Sequence, residues 1–102
     1  MSTKIEHGLG ATLDDANTTA KLVTLTASTG NSDWADEIEF WNTGATDVRI
    51  QFNLASTDDF TVASAGIIPA GEKSTRFNLR NPIKTFVYAT EASTSTIKYF
   101  AS

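Results

Sequence analysis

The sequence predicts an all-β domain, a small β-sandwich or jelly-roll-like fold of six to eight antiparallel strands. Thr and Ser supply 16 and 9 of the 102 residues, and β-branched Thr favours extended backbone. Apolar and polar residues alternate in several runs, which is the period of a half-buried strand. Segments rich in Gly, Pro, Asn, Asp and Ser separate these runs at the spacing of a sandwich.

The length, cysteine content, charge and hydropathy of the chain exclude several classes of function. A chain of 102 residues fits one domain. The absence of cysteine excludes disulfides and thiolate metal sites. The net charge is −4 and the basic residues are scattered, so we expect no nucleic-acid partner. No segment approaches the roughly 20 apolar residues of a membrane helix, and the first residues carry no apolar run of signal-peptide length. We therefore expect a soluble chain with no membrane contact.

Residues 1–20 differ from the rest of the chain. They contain two glycines, many small polar residues and little periodicity. We interpret them as an extended N-terminal arm, with one short strand near residues 4–7, followed by a single β-sandwich domain over residues 21–102. Ile5, Leu9 and Leu13 are the apolar residues that could anchor such an arm on a neighbouring molecule.

Three strands are predicted in the first half of the domain. In residues 21–27, "KLVTLTA", alternate residues share a face. In "DEIEFWN", Ile38 and Phe40 point one way, whereas Glu37, Glu39 and Trp41 point the other. The clearest strand is "DVRIQFNL", where four apolar residues alternate with polar ones. The loop "NTGATD" between the last two suits a hairpin.

The second half begins with a short strand at residues 60–62 and then a tight corner. Pro69 fixes φ and fits the second position of a type I turn, with Gly71 at the fourth. If the turn begins one residue later, Gly71 occupies the positive-φ position of a type II turn. We therefore predict that the chain reverses at Pro69 and Gly71. The strand "KSTRFNL" follows, with Thr75, Phe77 and Leu79 on one face and Arg76 and Asn78 on the other. The segment "RNPI" forms another corner before the last two strands.

The last two strands, "IKTFVYAT" and "TIKYFA", are apolar on both sides, and we expect them to form a hairpin around "EASTS". One side can face the core. The other must then be covered by the arm, a loop or another protein. The interface candidates predicted on this basis, with Trp41 added from the "DEIEFWN" strand, are Trp41, Phe86, Tyr88, Tyr99 and Phe100.

The sequence shows no catalytic constellation, cofactor motif or metal motif. The only histidine, His7, lies in the predicted arm, and no Ser sits in a G-x-S-x-G elbow. Asp58 and Asp59 fall in a turn, where carboxylates bind local backbone, and no D-x-D-x-D-G calcium loop is present. We expect no enzyme activity. A small hydrolase built on Asp and Glu pairs is the weakest alternative.

Motif order resembles small virion proteins of tailed bacteriophages and prophages from about Glu37 to Ser102. The motifs are "NTG" before the strand "DVRI", then "FTV", the corner "PAGE" before a strand, and the closing runs "VYAT" and "STSTIKYFA". The resemblance implies a non-enzymatic head decoration (cement) protein on the capsid surface, made in the bacterial host cytoplasm. Its partner would be the major capsid protein or another virion protein, and it would form a homo-oligomer, with a trimer favoured.

The two tryptophans support a different function. An exposed Trp on a β-sandwich can stack on a sugar ring or anchor a protein interface. Trp34 and Trp41 are the candidates for a sugar platform. The alternative to capsid decoration is therefore a carbohydrate-binding or receptor-binding β-sandwich module of a phage tail or of a secreted protein.

Overall fold

The fold is an all-β sandwich, as the sequence predicts. A computed structural model describes residues 3–5, 9–25, 33–71 and 74–102. In that part, nine strands are present together with two short 3₁₀ turns, Thr57–Asp59 and Val62–Ser64. The strands are β1 Thr3–Lys4, β2 Leu9–Ala16, β3 Lys21–Thr24, β4 Asp33–Asn42, β5 Val48–Phe52, β6 Gly66–Ile68, β7 Ser74–Ile83, β8 Thr85–Thr90 and β9 Ser95–Ala101.

The strands form two antiparallel sheets in jelly-roll order. The first, called here the β4 sheet, has the order β2-β9-β4-β7, and the two-residue β1 joins it in parallel beside the start of β4. The second, called the β8 sheet, has the order β3-β8-β5-β6. Successive strands after β2 change sheet at every step except β5 to β6, which is the arrangement of an eight-stranded jelly roll.

The predicted terminal hairpin is wrong, because β8 and β9 lie in opposite sheets. Strand β8 pairs with β3 and β5, whereas β9 pairs with β2 and β4. Phe86 and Tyr88 therefore face inward, and the Phe86 ring packs against that of Tyr99 across the core, with centroids 5.2 Å apart. The loop "NTGATD" likewise connects β4 to β5 in the other sheet rather than closing a hairpin.

The outer side of β8 is covered by the chain itself. Val87 is fully buried between Leu22 and Gln51, its partners on the neighbouring strands. The connection from β5 to β6 binds this side, since the Thr61 amide donates to Gln51 Oε1 at 2.8 Å and the Thr85 hydroxyl donates to the Leu54 carbonyl at 2.9 Å. This connection holds the two 3₁₀ turns, so the strand predicted at residues 60–62 is absent.

The core is centred on the ring of Phe40. Its ring centroid lies 5.4 Å from that of Phe86, 5.8 Å from Phe77, 6.3 Å from Tyr99 and 6.4 Å from Phe52. These rings come from both sheets, and the Phe86 and Phe77 contacts are edge-to-face, which is a favourable aromatic geometry. The alternating patterns of β4, β5 and β7 thus place their apolar residues as predicted.

Asn42 ties three parts of the fold together from a fully buried position. Its Nδ2 donates to the carbonyls of Thr46 at 2.8 Å and Ile68 at 3.0 Å. Its Oδ1 accepts from the Gly44 amide at 3.0 Å and the Ser95 hydroxyl at 2.7 Å. A Cβ on Gly44 would stand 2.8 Å from the Ser95 Cα, so only glycine allows this approach to β9.

The predicted arm is largely part of the sandwich. Leu9–Ala16 form the edge strand β2, paired with β9, rather than extending away from the domain. Ile5 and Leu13 are partly buried against the protein's own core. The side chain of Leu9 and residues 1, 2 and 6–8, including His7, lie outside the described residues.

The Pro69–Gly71 corner carries the chain from one sheet to the other. Strand β6 ends at Ile68 in the β8 sheet, and β7 begins at Ser74 in the β4 sheet. Gly71 has φ +98°, which agrees with the type II alternative and not with the type I alternative. The Ala70 amide donates to Asp47 Oδ1 at 2.9 Å, which fixes the corner beside the loop before β5.

We predict that Asn42→Ala lowers the free energy of unfolding by about 2–4 kcal/mol, because it leaves buried donors and acceptors without partners. Denaturant unfolding followed by tryptophan fluorescence measures the change. Asn78→Ala, at an exposed position on β7, is the control and should change stability by less than about 0.5 kcal/mol. Equal effects of the two substitutions would contradict the role assigned to Asn42.

A second prediction concerns acid stability. The Tyr88 hydroxyl donates to Asp15 Oδ1 at 2.7 Å, and this bond, with Lys21 nearby, holds the pKa of Asp15 below its usual value. Ionised Asp15 therefore stabilises the fold above about pH 3.9, and that contribution is lost as pH falls through the lowered pKa. Tyr88→Phe should lower stability at neutral pH by about 1 kcal/mol and weaken the acid dependence.

The control for this prediction is Tyr99→Phe. Burial alone raises the pKa of Tyr99, so its hydroxyl has no part in the acid dependence. Thermal unfolding measured between pH 3 and pH 7 distinguishes the variants. An unchanged slope in Tyr88→Phe would show that the bond to Asp15 does not couple protonation to folding.

Candidate interaction face

The outer face of the β4 sheet carries the main cluster of aromatic and charged side chains. Because Ile38 and Phe40 point into the core, Glu37, Glu39 and Trp41 point outward along β4. All three are half-buried. They occupy the central part of the sheet, where neighbouring strands add side chains on both sides.

Strands β9 and β7 complete this face by their register. Phe100 lies opposite Glu39, and Lys98 lies opposite Trp41. On the other side of β4, Arg76 lies opposite Glu39. The outer face thus presents two aromatic rings, two carboxylates and two cations on three adjacent strands.

Arg76 links the two carboxylates. Its Nε lies 2.7 Å from Glu37 Oε1, and its Nη2 lies 3.5 Å from Glu39 Oε2. The Ser74 hydroxyl also donates to Glu39 Oε2. Because the Arg76 side chain is 63 % exposed, these ion pairs add little stability and mainly fix the direction of the charged groups.

Phe100 stands at the border of a shallow depression. It is 46 % exposed, more than any other large apolar side chain in the described part of the chain. The depression measures about 220 Å³ and is lined by Glu37, Glu39, Arg76, Phe100 and Ser102. A Cβ on Gly10, the β2 neighbour, would come within 3.4 Å of the Phe100 ring and 2.8 Å of the Tyr99 carbonyl. The distance to the ring is ordinary contact, whereas glycine at this position allows β2 to approach the Tyr99 carbonyl of β9 closely.

This arrangement has the composition of a recognition surface. Phe100 and Trp41 offer apolar area, and the charged side chains around them offer directed hydrogen bonds, which is the usual composition of an interface. Within residues 3–5, 9–25, 33–71 and 74–102, no group of three or more His, Cys, Asp or Glu residues could hold a metal ion. Among the same residues, no helix is long and apolar enough to span a bilayer.

The predicted interface residues separate into two groups. Trp41 and Phe100 lie on the outer face of the β4 sheet. Phe86, Tyr88 and Tyr99 are 0 %, 3 % and 8 % exposed and pack in the core. Their prediction as outward-facing residues is wrong, because it assumed that β8 and β9 formed one two-sided hairpin.

The two tryptophans do not form a common sugar platform. Trp34 lies at the start of β4, where it pairs with Lys4. Trp41 is seven residues further along the same strand, a separation of about 23 Å. Trp41 does not line the depression, but its β9 partner Lys98 is two residues from Phe100.

Arg76 is a contributor to this face that the sequence did not identify as a site residue. The alternation of β7 already placed Arg76 on the side opposite Phe77, but the strand next to β7, and so the carboxylates beside Arg76, could not be known without the strand order.

A second depression, of about 430 Å³, lies between residues 53–55 and 81–85 and has a structural explanation. Asn53, at φ 61°, bonds the Pro82 carbonyl at 3.0 Å and the Lys84 amide at 2.7 Å.

Comparison with known proteins identifies the fold but no family. No protein-family model matches the chain, and no curated protein does. Among solved structures, PirA is similar with a TM-score of 0.53 and 9% identity, over 95% of this chain and 94% of PirA. A protein of Bacillus endospore appendages, which form a family of disulfide-linked pili, is similar with a TM-score of 0.52 and 16% identity, over 93% and 84% of the two chains. At these identities the likeness concerns the fold alone.

We predict that Phe40→Ala destabilises the fold strongly, whereas Phe100→Ala changes its stability little. Phe40→Ala should lower the free energy of unfolding by about 3–5 kcal/mol because it leaves a cavity between the sheets. Phe100→Ala should change it by less than about 1 kcal/mol. Denaturant unfolding of both variants tests the assignment, and a large loss of stability in Phe100→Ala would show that this ring is part of the core.

Proposed function

We propose that this chain is a non-enzymatic structural protein that binds a protein lattice through the outer face of its β4 sheet. The single observation that carries the proposal is the exposed Phe100 ring beside the Glu37, Glu39 and Arg76 cluster, on a face that also presents Trp41. Aromatic and Arg side chains of this kind are the usual anchors of protein interfaces.

The lattice we propose is the coat of a tailed phage, with the major capsid protein or another virion protein as partner. The resemblance of residues 37–102 to small phage virion proteins supports this choice. A virion protein of this kind is a homo-oligomer on the particle surface and needs no cofactor, nucleic acid or membrane. The acidic net charge of −4 favours solubility before assembly.

The likeness to the endospore appendage protein bears on how copies of this chain could be held together. That protein has a similar fold, and its pili are disulfide-linked. This chain contains no cysteine. Any assembly that it forms therefore depends on non-covalent contacts such as apolar area, ion pairs and strand pairing.

Binding to empty capsid shells of the phage or prophage that encodes the chain tests the proposal. Trp41→Ala and Phe100→Ala should each weaken cosedimentation with shells, by about thirtyfold if each ring contributes about 2 kcal/mol. Ile67→Ala is the matched control, because Ile67 is 42 % exposed on the outer side of the β8 sheet. If Trp41→Ala and Phe100→Ala both bind shells as tightly as the unmodified chain while Ile67→Ala loses binding, the choice of the outer face of the β4 sheet is wrong.

Carbohydrate binding is the second candidate, favoured by the depression in which charged groups surround one side of the Phe100 ring. Sugar sites combine an aromatic platform with directed polar groups. Titration with oligosaccharides, followed by Trp fluorescence, separates the candidates. Saturable quenching that disappears in Phe100→Ala supports sugar binding, whereas shell binding without any response to sugars supports the structural proposal.

A further inference from the structure

The two carboxylates on the outer face of the β4 sheet share a single cation. Arg76 contacts both Glu37 and Glu39, at 2.7 Å and 3.5 Å, and its one positive charge neutralises only one of the two. The Glu37 and Glu39 side chains are 32 % and 24 % exposed, so they lie deeper than Arg76. One negative charge therefore remains in a partly buried position, where salt and water screen it less than at an open surface.

The Phe100 ring lies beside this remaining negative charge. Phe100 is opposite Glu39 on the neighbouring strand, and its ring lines the same depression as Glu37, Glu39 and Arg76. The face of an aromatic ring carries the negative part of its quadrupole and attracts cations. The ring and the excess carboxylate thus both favour a positively charged group in this depression.

The size of the depression indicates what carries that positive charge. Its volume of about 220 Å³ lies below the roughly 300–1,000 Å³ of typical small-molecule pockets, and it suits a single side chain of a docked protein. Lys98, the other basic residue of this face, lies opposite Trp41 and does not line the depression. The positive charge must therefore come from outside the described part of the chain.

We infer that the partner inserts one basic side chain, arginine or lysine, between the Phe100 ring and the carboxylates of Glu37 and Glu39. The inference rests on the proposed function, because it names the chemical group by which the partner of this face is recognised. Arginine fits better than lysine, since its planar guanidinium can stack on the ring and donate to a carboxylate at the same time. Arg76 opposes the incoming cation and so limits its affinity.

A third depression provides a matched comparison within the same molecule. Its lining residues are Ala45, Thr46, Asp47, Arg49, Glu91 and Ala92. Arg49 Nη2 lies 2.7 Å from Glu91 Oε1, so this depression also combines two carboxylates with one guanidinium. The described residues that line it include no aromatic ring. Because cation binding requires the ring as well as the excess charge, we expect weaker binding there than beside Phe100.

The probe is Nα-acetyl-arginine methylamide, titrated into the isotope-labelled full chain at constant ionic strength and followed by NMR. The control probe is Nα-acetyl-citrulline methylamide, which has nearly the same shape but no charge. The amide signals of Glu39 and Phe100 should shift saturably with the arginine probe and not with the citrulline probe. The signals of Arg49 and Glu91 should shift less. Equal responses of Glu39 and Phe100 to both probes would overturn the inference.

Substitutions of opposite sign separate cation binding from a merely structural effect. Glu37→Gln and Glu39→Gln should each weaken binding of the arginine probe about threefold, and Phe100→Ala should weaken it by a similar factor. Arg76→Gln should strengthen it about threefold, because the opposing cation is removed. Glu91→Gln is the control variant and should have no effect. Weaker binding by Arg76→Gln with stronger binding by Glu39→Gln would overturn the inference, because those signs belong to an anion site.

Cosedimentation with shells distinguishes failure of this inference from failure of the proposed function. If Phe100→Ala weakens shell binding whereas Glu39→Gln and Arg76→Gln leave it unchanged, the inference is wrong and the proposed function stands. If the arginine probe binds as predicted while shells do not bind the chain, the depression recognises basic side chains and the choice of a phage coat as partner is wrong.

Discussion

The packing of aromatic rings around Phe40 joins the two sheets, and the rest of the structure depends on it. Rings from β5, β7, β8 and β9 lie within 6.4 Å of Phe40, so this one side chain on β4 contacts partners from both halves of the sandwich. Asn42, two residues later on the same strand, then fixes the loop after β4 against β6 and β9. One strand therefore supplies both the apolar centre and the main buried polar link.

This packing determines which surfaces remain for function. With Phe86, Tyr88 and Tyr99 used between the sheets, the aromatic surface on the β4 sheet consists of Phe100 and Trp41, oriented beside the Glu37, Glu39 and Arg76 cluster. The same sheet ends in the long strands β2 and β7. The face and the two edges thus belong to one sheet.

Sequence periodicity predicted which way side chains point but not which strands are neighbours. The alternation in β4, β5 and β7 placed Phe40, Ile50 and Phe77 inward, and the positive φ of Gly71 matches one of the two turn types predicted at that corner. The pairing of β8 with β9 was predicted wrongly, because a short turn-rich connection is equally compatible with a hairpin and with a crossing between sheets. The apolar residues on both sides of β8 in fact reflect a central strand covered on both faces. Strand β2 lacked clear alternation, so it was taken for an arm, and Arg76 could not be placed beside Glu39 without the strand order.

The central claim is that Phe86 and Tyr88 lie inside, and that Trp41 and Phe100 lie outside and make the contact with the partner. Hydroxyl-radical footprinting, read residue by residue by mass spectrometry on the free chain and on the chain bound to shells, tests both halves at once. The account predicts that Phe86 stays unreactive throughout, while Trp41 and Phe100 react in the free chain and become protected on binding. Strong labelling of Phe86 in the free chain, or unchanged labelling of Phe100 on shells, would contradict it.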